Sequence, residues 1–334
     1  MPSFVTATVS EILAERSGLQ RVATDAGRAY VLTGLVGTVA VGDRVVLNTT
    51  AVELGLGTGG WHVVHWNLAR TSWSRPGPGH IMKLRYTSLQ TDTGAAEEDR
   101  ADLPESLDGM PVVACSLHSQ VAVVAAVVRH LCPGARIAYV MTDGGALPLA
   151  LSDLVHALRS RGIVDVSITA GHAFGGDLEA VSAPAALALA RHVAAADLAV
   201  VGMGPGVVGT ASSLGTTAVE VAAIADAAAR LGARVALCCR ASGVDPRERH
   251  RGVSHHVRTI LRLAAHRPAL PLPASLASEL EGATLVEGPD VALVLAALDV
   301  PVTSMGRGPA DDPVFFAAAS AAGAWAAAAL ARDH

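Results

Sequence analysis

The sequence predicts an α/β protein in which a small all-β domain precedes a doubly wound, mostly parallel sheet with helices on both faces. From residue 111 onward, short and almost continuously apolar runs alternate with helical patterns, as strands buried on both faces of a parallel sheet do. Residues 4–68 instead carry short alternating runs between turn residues, a pattern typical of a small barrel or sandwich. Apolar residues make up 51% of the 334 residues and charged residues 16%, which is enough for a large core.

The chain divides into three segments. Residues 1–70 are predicted to be the small β domain, residues 71–110 a connector with one further strand candidate and an exposed acidic linker, and residues 111–334 a Rossmann-like α/β domain. Within the β domain, strands follow the alternation of apolar residues, and turns follow glycine and aspartate. The clearest stretches are Phe4–Val9, Gln20–Thr24, Arg28–Leu32 and Val41–Leu47.

The α/β domain has six strand candidates and seven helix candidates. The strand candidates are rich in valine, isoleucine and leucine: Val112–Leu117, Ile137–Met141, Val164–Thr169, Leu198–Gly202, Val235–Cys239 and, more weakly, Thr284–Val286. The helix candidates are Ser119–Leu131, Leu151–Arg161, Pro184–Ala195, Thr217–Leu231, Val253–His266, Pro289–Leu298 and Pro313–Arg332. Thr217 and Glu220 fit a capping box at the start of the fourth helix. The last helix is alanine-rich, which makes it a poor membrane span and predicts a packed or oligomer-facing helix.

Charge and cysteine usage narrow the function classes. The net charge of −5 argues against nucleic-acid binding as the main role. Residues 1–6 lack the basic and apolar regions of a signal peptide, so we expect a cytoplasmic protein that binds neither nucleic acid nor a membrane. Cys115, Cys132, Cys238 and Cys239 show no zinc-site spacing and are expected to be free thiols, most of them buried.

Polar residues that follow the predicted strands are expected to meet. In open α/β sheets, ligands bind outside the carboxyl ends of the strands. His118 follows the first predicted strand, Asp143 the second and His172 the third, a glycine-rich segment follows the fourth, and Arg240 follows the fifth. The sequence therefore predicts one site at this edge, in which Asp143 or His118 orients a substrate.

The glycine-rich segment, residues 202–217, is the strongest ligand signal. A buried strand that ends in a glycine loop and opens toward a helix presents backbone N–H groups, which suit anions. The spacing matches the dinucleotide fingerprint, but the helix is predicted to begin near Thr217 and no acidic residue ends the next strand. A long anion-binding loop is therefore the simpler interpretation. Its predicted ligand-binding residues are Gly204, Gly206, Gly209, Ser212, Ser213 and Thr216.

The segment from Arg240 to Arg267 is strongly basic in an otherwise acidic chain. It holds seven arginines and four histidines against two acidic residues. A solvated helix face would explain it, but an anion clamp of Arg240 and Arg251 facing the glycine loop explains it as well. Ser254 is a natural N-cap, and a histidine at a helix start has its pKa lowered by the helix dipole. We therefore predict that His255 or His256 moves a proton.

Two further interpretations concern a late loop and metal binding. Pro301–Asp312 places Ser304 and Arg307 in a Gly-Arg-Gly loop that is predicted to contact the ligand. A metal site could use His118, His172, His255 and Asp143, but no spacing supports it, so no metal is expected.

Several stretches of the chain resemble an uncharacterised bacterial family, domain of unknown function number 3866. The matching stretches are Gly42–Val45, Gly55–Gly60, Leu117–Gln120, Gly252–His256 and Ser304–Arg307. The resemblance extends over both domains, and it implies no activity, cofactor or residue role.

The function predicted from these residues is a cytosolic enzyme that binds a small anionic ligand, phosphorylated or nucleotide-like, at the carboxyl edge of the sheet. An NADP-dependent oxidoreductase is an alternative, in which Arg240 binds the 2′-phosphate. A non-catalytic ligand sensor or oligomeric scaffold is a second alternative. The cofactor is left undetermined.

Overall fold

A computed structural model describes residues 2–57 and 59–331 of the chain. The chain folds as two compact units, Met1–Thr93 and Gly94–His334. The division falls inside the segment 71–110 that the sequence assigns to a connector, so this segment is shared between the two units.

The first unit is a closed barrel with the strand order β1-β2-β3-β5-β4 in its described residues. The strands are β1 (Phe4–Arg16), β2 (Leu19–Thr24), β3 (Gly27–Leu32), β4 (Arg44–Asn48) and β5 (Trp61–Asn67). β1 shifts its register to β2 twice, between Val9 and Glu11 and between Ile12 and Ala14. Such bulges bend a strand, and here they let β1 pair with β2 at one end and with β4 at the other, which closes the barrel.

Short elements complete this unit. Two single-turn helices, α1 (Thr33–Val36) and α2 (Thr50–Glu53), flank β4, and β6 (Met82–Lys83) pairs with β7 (Thr91–Asp92). The barrel interior is filled by fully buried aliphatic side chains of alternating strand positions, among them Val22, Val31, Val45 and Leu47.

The second unit has a central sheet in which all strand pairs are parallel. Its six strands in the described residues are β8 (Pro111–Cys115), β9 (Ile137–Thr142), β10 (Val166–Ala170), β11 (Leu178–Ala180), β12 (Leu198–Met203) and β13 (Arg234–Cys238), in the order β11-β10-β9-β12-β8-β13. The helices are α3 (His118–Leu131), α4 (Asp153–Ser160), α5 (Ala183–His192), α6 (Glu220–Arg230), α7 (His255–Leu263), α8 (Ala274–Ala277), α9 (Val291–Ala297) and α10 (Pro313–Leu330). Small two-stranded sheets join β14 (Ala241–Ser242) to β15 (Gly252–Val253) and β16 (Pro271–Leu272) to β17 (Thr284–Leu285).

Both faces of the central sheet are covered, as predicted. Val112 of β8 belongs to a core shared with α5 and α6, while its neighbour Val113 belongs to a core shared with α3 and α10. Successive strand residues point to opposite faces, so a sheet with a core on each face needs apolar residues at most strand positions. The doubly wound α/β prediction is therefore confirmed.

The individual predictions are largely confirmed as elements, with shifted bounds. Five of the six predicted strands lie in the central sheet, while Thr284–Leu285 pairs outside it, and β11 was not predicted. The predicted capping box is wrong: Thr216, not Thr217, caps the 3-10 turn before α6, and Glu220 accepts a hydrogen bond from Thr142 instead. Arg332, at the end of the last predicted helix, lies outside the described residues.

The acidic segment before β8 is not the exposed linker that the sequence predicts. Leu107 and Met110 are buried in the core of the second unit. The backbone N–H of Ala96 donates to the carbonyl oxygen of Glu179, so the segment is fixed beside the sheet. Its few apolar residues were enough to anchor it, although its composition is typical of a linker.

The alanine-rich helix α10 packs against α3. By length and composition it could cross a membrane, but 61% of it is buried inside the second unit, as in a core helix. A Cβ added at Gly323 would lie 2.7 Å from the Cβ of Val127, so glycine permits the close approach of the two helices.

Candidate functional site

The loops that follow the parallel strands, which carry most of the predicted site residues, lie at one edge of the sheet. β12 lies between β9 and β8, so the loops that follow these three strands are neighbours, and β13 lies on the other side of β8. The predicted residues fall into two groups, one around His118 and the glycine-rich segment and one in the basic segment. Helix α7 of the basic segment packs against the 3-10 turn Thr217–Val219 that ends the glycine-rich segment.

His118 is held by hydrogen bonds on both ring nitrogens. Its Nδ1 lies 3.1 Å from the carbonyl oxygen of Met203, and its Nε2 lies 2.7 Å from Oγ of Ser152. Because a carbonyl only accepts, Nδ1 carries the proton and the Ser152 hydroxyl donates to Nε2. Burial lowers the pKa of His118 to about 4, so the ring is neutral at neutral pH. These bonds join α3 to β12 and α4, and the substrate-orienting role stays a prediction.

Asp143 is exposed beside the half-buried carboxyl group of Glu220, which the sequence assigns to a capping box and not to the site. Oδ2 of Asp143 accepts a hydrogen bond of 3.0 Å from the backbone N–H of His172. Glu220 accepts from the Thr142 hydroxyl at 2.5 Å, and burial raises the pKa of Glu220, with the charge of Asp143 adding to the shift. The carboxyl groups of Asp143 and Glu220 thus lie together beside the loop that follows β9.

The glycine-rich segment folds as a small hairpin rather than as the start of a helix. The N–H of Thr210 donates to the oxygen of Gly215, and that of Thr217 to the oxygen of Val208. Oγ1 of Thr216 and Oγ of Ser212 accept from backbone N–H groups two residues further on. Much of the hydrogen-bonding capacity assigned to a ligand is therefore used within the hairpin, although hydroxyl protons of these side chains can still be donated.

One of the predicted ligand-binding glycines is required for packing between loops. A Cβ at Gly204 would lie 2.5 Å from the carbonyl oxygen of Ala146, and one at Gly145 would lie 2.4 Å from the oxygen of Gly204. Gly206, with φ of 91° and open space around its Cα, serves the turn instead. The backbones after β9 and β12 touch because both carry glycine at the contact.

Three guanidinium groups, two from the basic segment and one from Arg307 of the late loop, surround the carboxylate of Asp245. Asp245, whose side chain is 1% exposed, lies in the hairpin between β14 and β15. Arg247 binds both carboxylate oxygens at 2.9 Å, and Arg240 and Arg307 reach Oδ2 at 3.6 and 3.8 Å. Arg251 adds a 3.0 Å hydrogen bond from Nε to the Asp245 carbonyl oxygen.

The pKa values of this group follow from the excess of positive charge. Hydrogen bonds from Arg247 hold the pKa of Asp245 well below its usual range. Burial lowers the pKa of Arg240 to about 10, and repulsion by Arg247 adds to the shift. Arg240 thus remains charged at neutral pH, with a carboxylate shared among three cations.

A second buried carboxylate, Asp312, ties the late loop to this group. Its Oδ2 accepts from the Ser242 hydroxyl at 2.5 Å and lies 3.5 Å from Nε of Arg307. Ser304 and Arg307 exchange two backbone hydrogen bonds around Met305 and Gly306, which both have positive φ. This tight turn directs Arg307 toward both buried carboxylates, so the predicted grouping of Arg240 with Arg307 is present.

Three imidazole rings cluster next to the arginines. The centroids of His255 and His256 are 4.2 Å apart, and that of His250 lies 5.0 Å from the first and 4.9 Å from the second. His250 and His256 are buried, while His255 is half-buried. Burial, followed by nearby positive charge, lowers the pKa of His250 to about 3, and burial with His255 lowers that of His256 to about 4. The pKa of His255 is lowered for the same reasons, so all three rings are neutral at neutral pH.

The structure adds residues that sequence reasoning did not assign to the site. These are Arg247, Asp245, His250, Asp312 and Glu220. The first three lie within the basic segment, whose density of arginine and histidine was the available signal. The sequence assigns Asp312 only to the end of the late loop and Glu220 only to a capping box. Their hydrogen bonds with Ser242 and Thr142 span 70 and 78 positions, which no local pattern indicates.

The chain matches one family model and no characterised protein. A model described as a protein of unknown function matches residues 28–323, which include parts of both units. Neither a curated protein nor a solved structure matches the chain.

Proposed function

Given that the chain belongs to the DUF3866 family of proteins of unknown function, we propose that it is a cytosolic enzyme that binds a small anionic ligand, phosphorylated or nucleotide-like. The ligand would bind at the carboxyl edge of the α/β sheet, at the surface where Arg247 and Arg307 are partly exposed. The proposal concerns the second unit only.

One observation supports this proposal above others, the arrangement of three guanidinium groups around the carboxylate of Asp245, where, among the described residues, only Arg307 has a second carboxylate, Asp312, beside it. Buried arginines are normally paired with carboxylates, but here Arg240 is 3.6 Å from a group that Arg247 already binds at both oxygens. Mutual repulsion of the arginines is relieved by a further anion. Guanidinium groups bind phosphate and carboxylate oxygens in pairs, and this favours a planar or tetrahedral oxyanion.

Neighbouring groups support a ligand larger than a single anion. The hairpin of residues 204–217 lies beside α7, because α7 packs against the turn Thr217–Val219. Hydroxyl groups of Ser212, Ser213 and Thr216 are available as donors for further oxygens of a nucleotide or sugar phosphate. A ligand of that length would extend from the arginines to the loops after β12.

The neutral histidines supply the chemical step in this proposal. His255, half-buried at the start of α7, is the ring most accessible to a bound ligand. A neutral imidazole can accept a proton from a substrate or donate a hydrogen bond to it. His118 and Asp143 remain candidates for orienting the substrate.

The first test is a thermal-shift screen in the presence of a chelator. Nucleotides, NADH and NADPH, sugar phosphates, coenzyme A and inorganic phosphate are each added to purified protein. A ligand at 100 times its dissociation constant adds about 2.7 kcal/mol of stability, which is easily detected. We expect a response to one phosphorylated class, and Arg307→Gln should weaken binding about tenfold or more through the loss of a charge-assisted hydrogen bond.

Arg262→Gln is the matched control, because it removes the same charge from an exposed position of α7. It should leave the affinity within about twofold. Equal losses in both variants would mean that only general charge is involved and would contradict the proposed site. A response to NADPH but not NADH would favour the oxidoreductase, and ligand binding without turnover would favour the sensor or scaffold.

A further inference from the structure

We infer that His250, His255 and His256 form a binding site for one divalent transition-metal ion of the zinc type. The inference depends on the three rings and not on the anionic ligand proposed above. It departs from the sequence-based expectation, which found no metal-site spacing and offered a different set of ligands. His250 joins His255 and His256 in the structure, whereas His118 is bonded at both nitrogens to other groups.

The distances are those of a site that closes around an ion. Each ring offers one nitrogen as a ligand, and these three nitrogens all lie within 4.8 Å of one another. With Zn–N bonds of about 2.0–2.1 Å, the nitrogens of a tetrahedral site are about 3.4 Å apart. The nitrogens would approach one another by up to about 1.4 Å, and we expect rotation of the imidazole rings about their side-chain torsions to supply this movement.

Buried nitrogens without a hydrogen-bond partner point to a ligand. Nε2 of His255 and both ring nitrogens of His256 are buried and have no partner among the described residues. His256 is only 4% exposed. Buried polar groups in folded proteins almost always have a partner, and leaving one without costs about 1–3 kcal/mol. An ion that binds the three rings would provide a partner for Nε2 of His255 and for one ring nitrogen of His256.

Ser254 orients the ring of His250. Its Oγ lies 2.8 Å from Nδ1 of His250 and also accepts from the N–H of His256 as the N-cap of α7. A ring bonded at Nδ1 presents Nε2 as the nitrogen free for ligation. Metal-binding histidines commonly bond a second group through their other nitrogen, and this contact fixes the ring and its tautomer.

The charged surroundings determine what the fourth position would hold. Three protein nitrogens leave one position of a tetrahedral zinc ion for water or substrate. The guanidinium groups of Arg240 and Arg247 lie at the carboxylate of Asp245, five positions before His250, and their charge favours an anionic oxygen on the ion over a neutral ligand. If the anion proposal is also correct, the ion and the arginines would bind the same ligand from two sides.

The test is metal binding by the full chain without a histidine tag. The protein is stripped with chelator, dialysed and titrated with Co²⁺ and with Zn²⁺ in the absence of any phosphorylated compound. We expect one ion per chain and a visible Co²⁺ spectrum of tetrahedral nitrogen ligation without a thiolate charge-transfer band. The missing band distinguishes this site from one made by the buried Cys115 and Cys238.

Variants locate the site. His255→Gln, which changes the half-buried ring, should reduce Zn²⁺ affinity more than about tenfold, since second-sphere changes alone cost 10–100-fold. His266→Gln alters an exposed histidine just beyond the same helix and should bind like the native protein. Circular dichroism confirms that both variants fold.

Two outcomes would overturn the inference. One is a native protein that takes up no stoichiometric ion at micromolar concentrations. The other is a folded His255→Gln protein that binds Zn²⁺ as tightly as the native protein. Neither bears on the anion proposal, whose screen contains chelator and is scored on Arg307.

Discussion

Asp245 is the residue on which the basic cluster depends. It is the carboxylate nearest to Arg240 and Arg247, and its side chain is almost completely buried. Its lowered pKa means that the group stabilises the fold at all pH values above its unfolded pKa of about 3.9. This contribution disappears only as the pH falls through the lower folded pKa.

Replacing Asp245 by asparagine should strongly destabilise the second unit. The substitution keeps the shape but leaves the buried Arg240 without its counter-ion, a change that typically costs about 3–5 kcal/mol. Urea unfolding near neutral pH measures it. The control is Asp299→Asn, which breaks the ion pair with Arg161 at a side chain that is 88% exposed and should cost less than about 1 kcal/mol. Similar losses in both variants would show that the buried pairs contribute no more than a surface pair.

His118 makes a contribution to the free energy of unfolding that depends on pH, and the sign of this dependence can be predicted. Its pKa falls from an ordinary 6.5 to about 4 on folding, so below about pH 6.5 the unfolded chain takes up a proton that the folded chain does not. Stability from this group is therefore complete above about pH 6.5 and is lost as the pH falls toward about 4. The groups that face its ring are Ser152, the Met203 carbonyl and Tyr139, and burial raises the pKa of this tyrosine.

The corresponding experiment compares slopes rather than stabilities. Between about pH 6 and pH 5, the free energy of unfolding of the native protein should fall by up to about 1.4 kcal/mol per pH unit more than that of His118→Asn. His130→Gln, at an exposed position of α3, should keep the native slope. A His118→Asn protein with the native slope would mean that His118 can be protonated in the folded state.

At the scale of elements, the glycine-rich hairpin is held by backbone contact between two loops. Gly204→Ala should destabilise the second unit more than Gly206→Ala, because its Cβ would meet the Ala146 oxygen at 2.5 Å, whereas Gly206 has open space. At Gly206 the cost is conformational only, about 1–2 kcal/mol for a left-handed residue. Thermal unfolding of both variants tests the order. A smaller loss for Gly204→Ala would show that the loops separate easily.

Element prediction succeeded where the pattern was long and local. The parallel strands were found because buried strands read as unbroken apolar runs, and α3 because its apolar positions cover almost the whole helix. β11 was missed because its three residues, Leu178–Ala180, are too few to show a period. For residues 204–217 the sequence predicts an open anion-binding loop and not a hairpin, since glycine and serine indicate a turn without specifying where its N–H groups are bonded.

For the whole molecule, the two units were predicted with different success. The sequence indicated a barrel or sandwich for the first unit, and the bulges of β1 close it as a barrel. Composition alone predicts an exposed acidic linker within residues 71–110, but Leu107 and Met110 are buried in the second unit. A few buried side chains outweigh an average polar composition, because each contributes about 1.5–3 kcal/mol on burial.

The sequence by itself determined the α/β class, most strands and helices, and the clustering of arginine and histidine after β13. These properties depend on neighbours within a few residues, where period and composition are directly visible. Only the tertiary structure decided that Arg307 and Asp312 would join Asp245, and that the rings of His250, His255 and His256 would face one another. The chain must fold back across about 60 residues to bring Arg307 and Asp312 to Asp245. The three rings meet because the hairpin β14–β15 and the cap of α7 set their directions. Such contacts depend on how separate elements pack, which no local pattern in one sequence specifies.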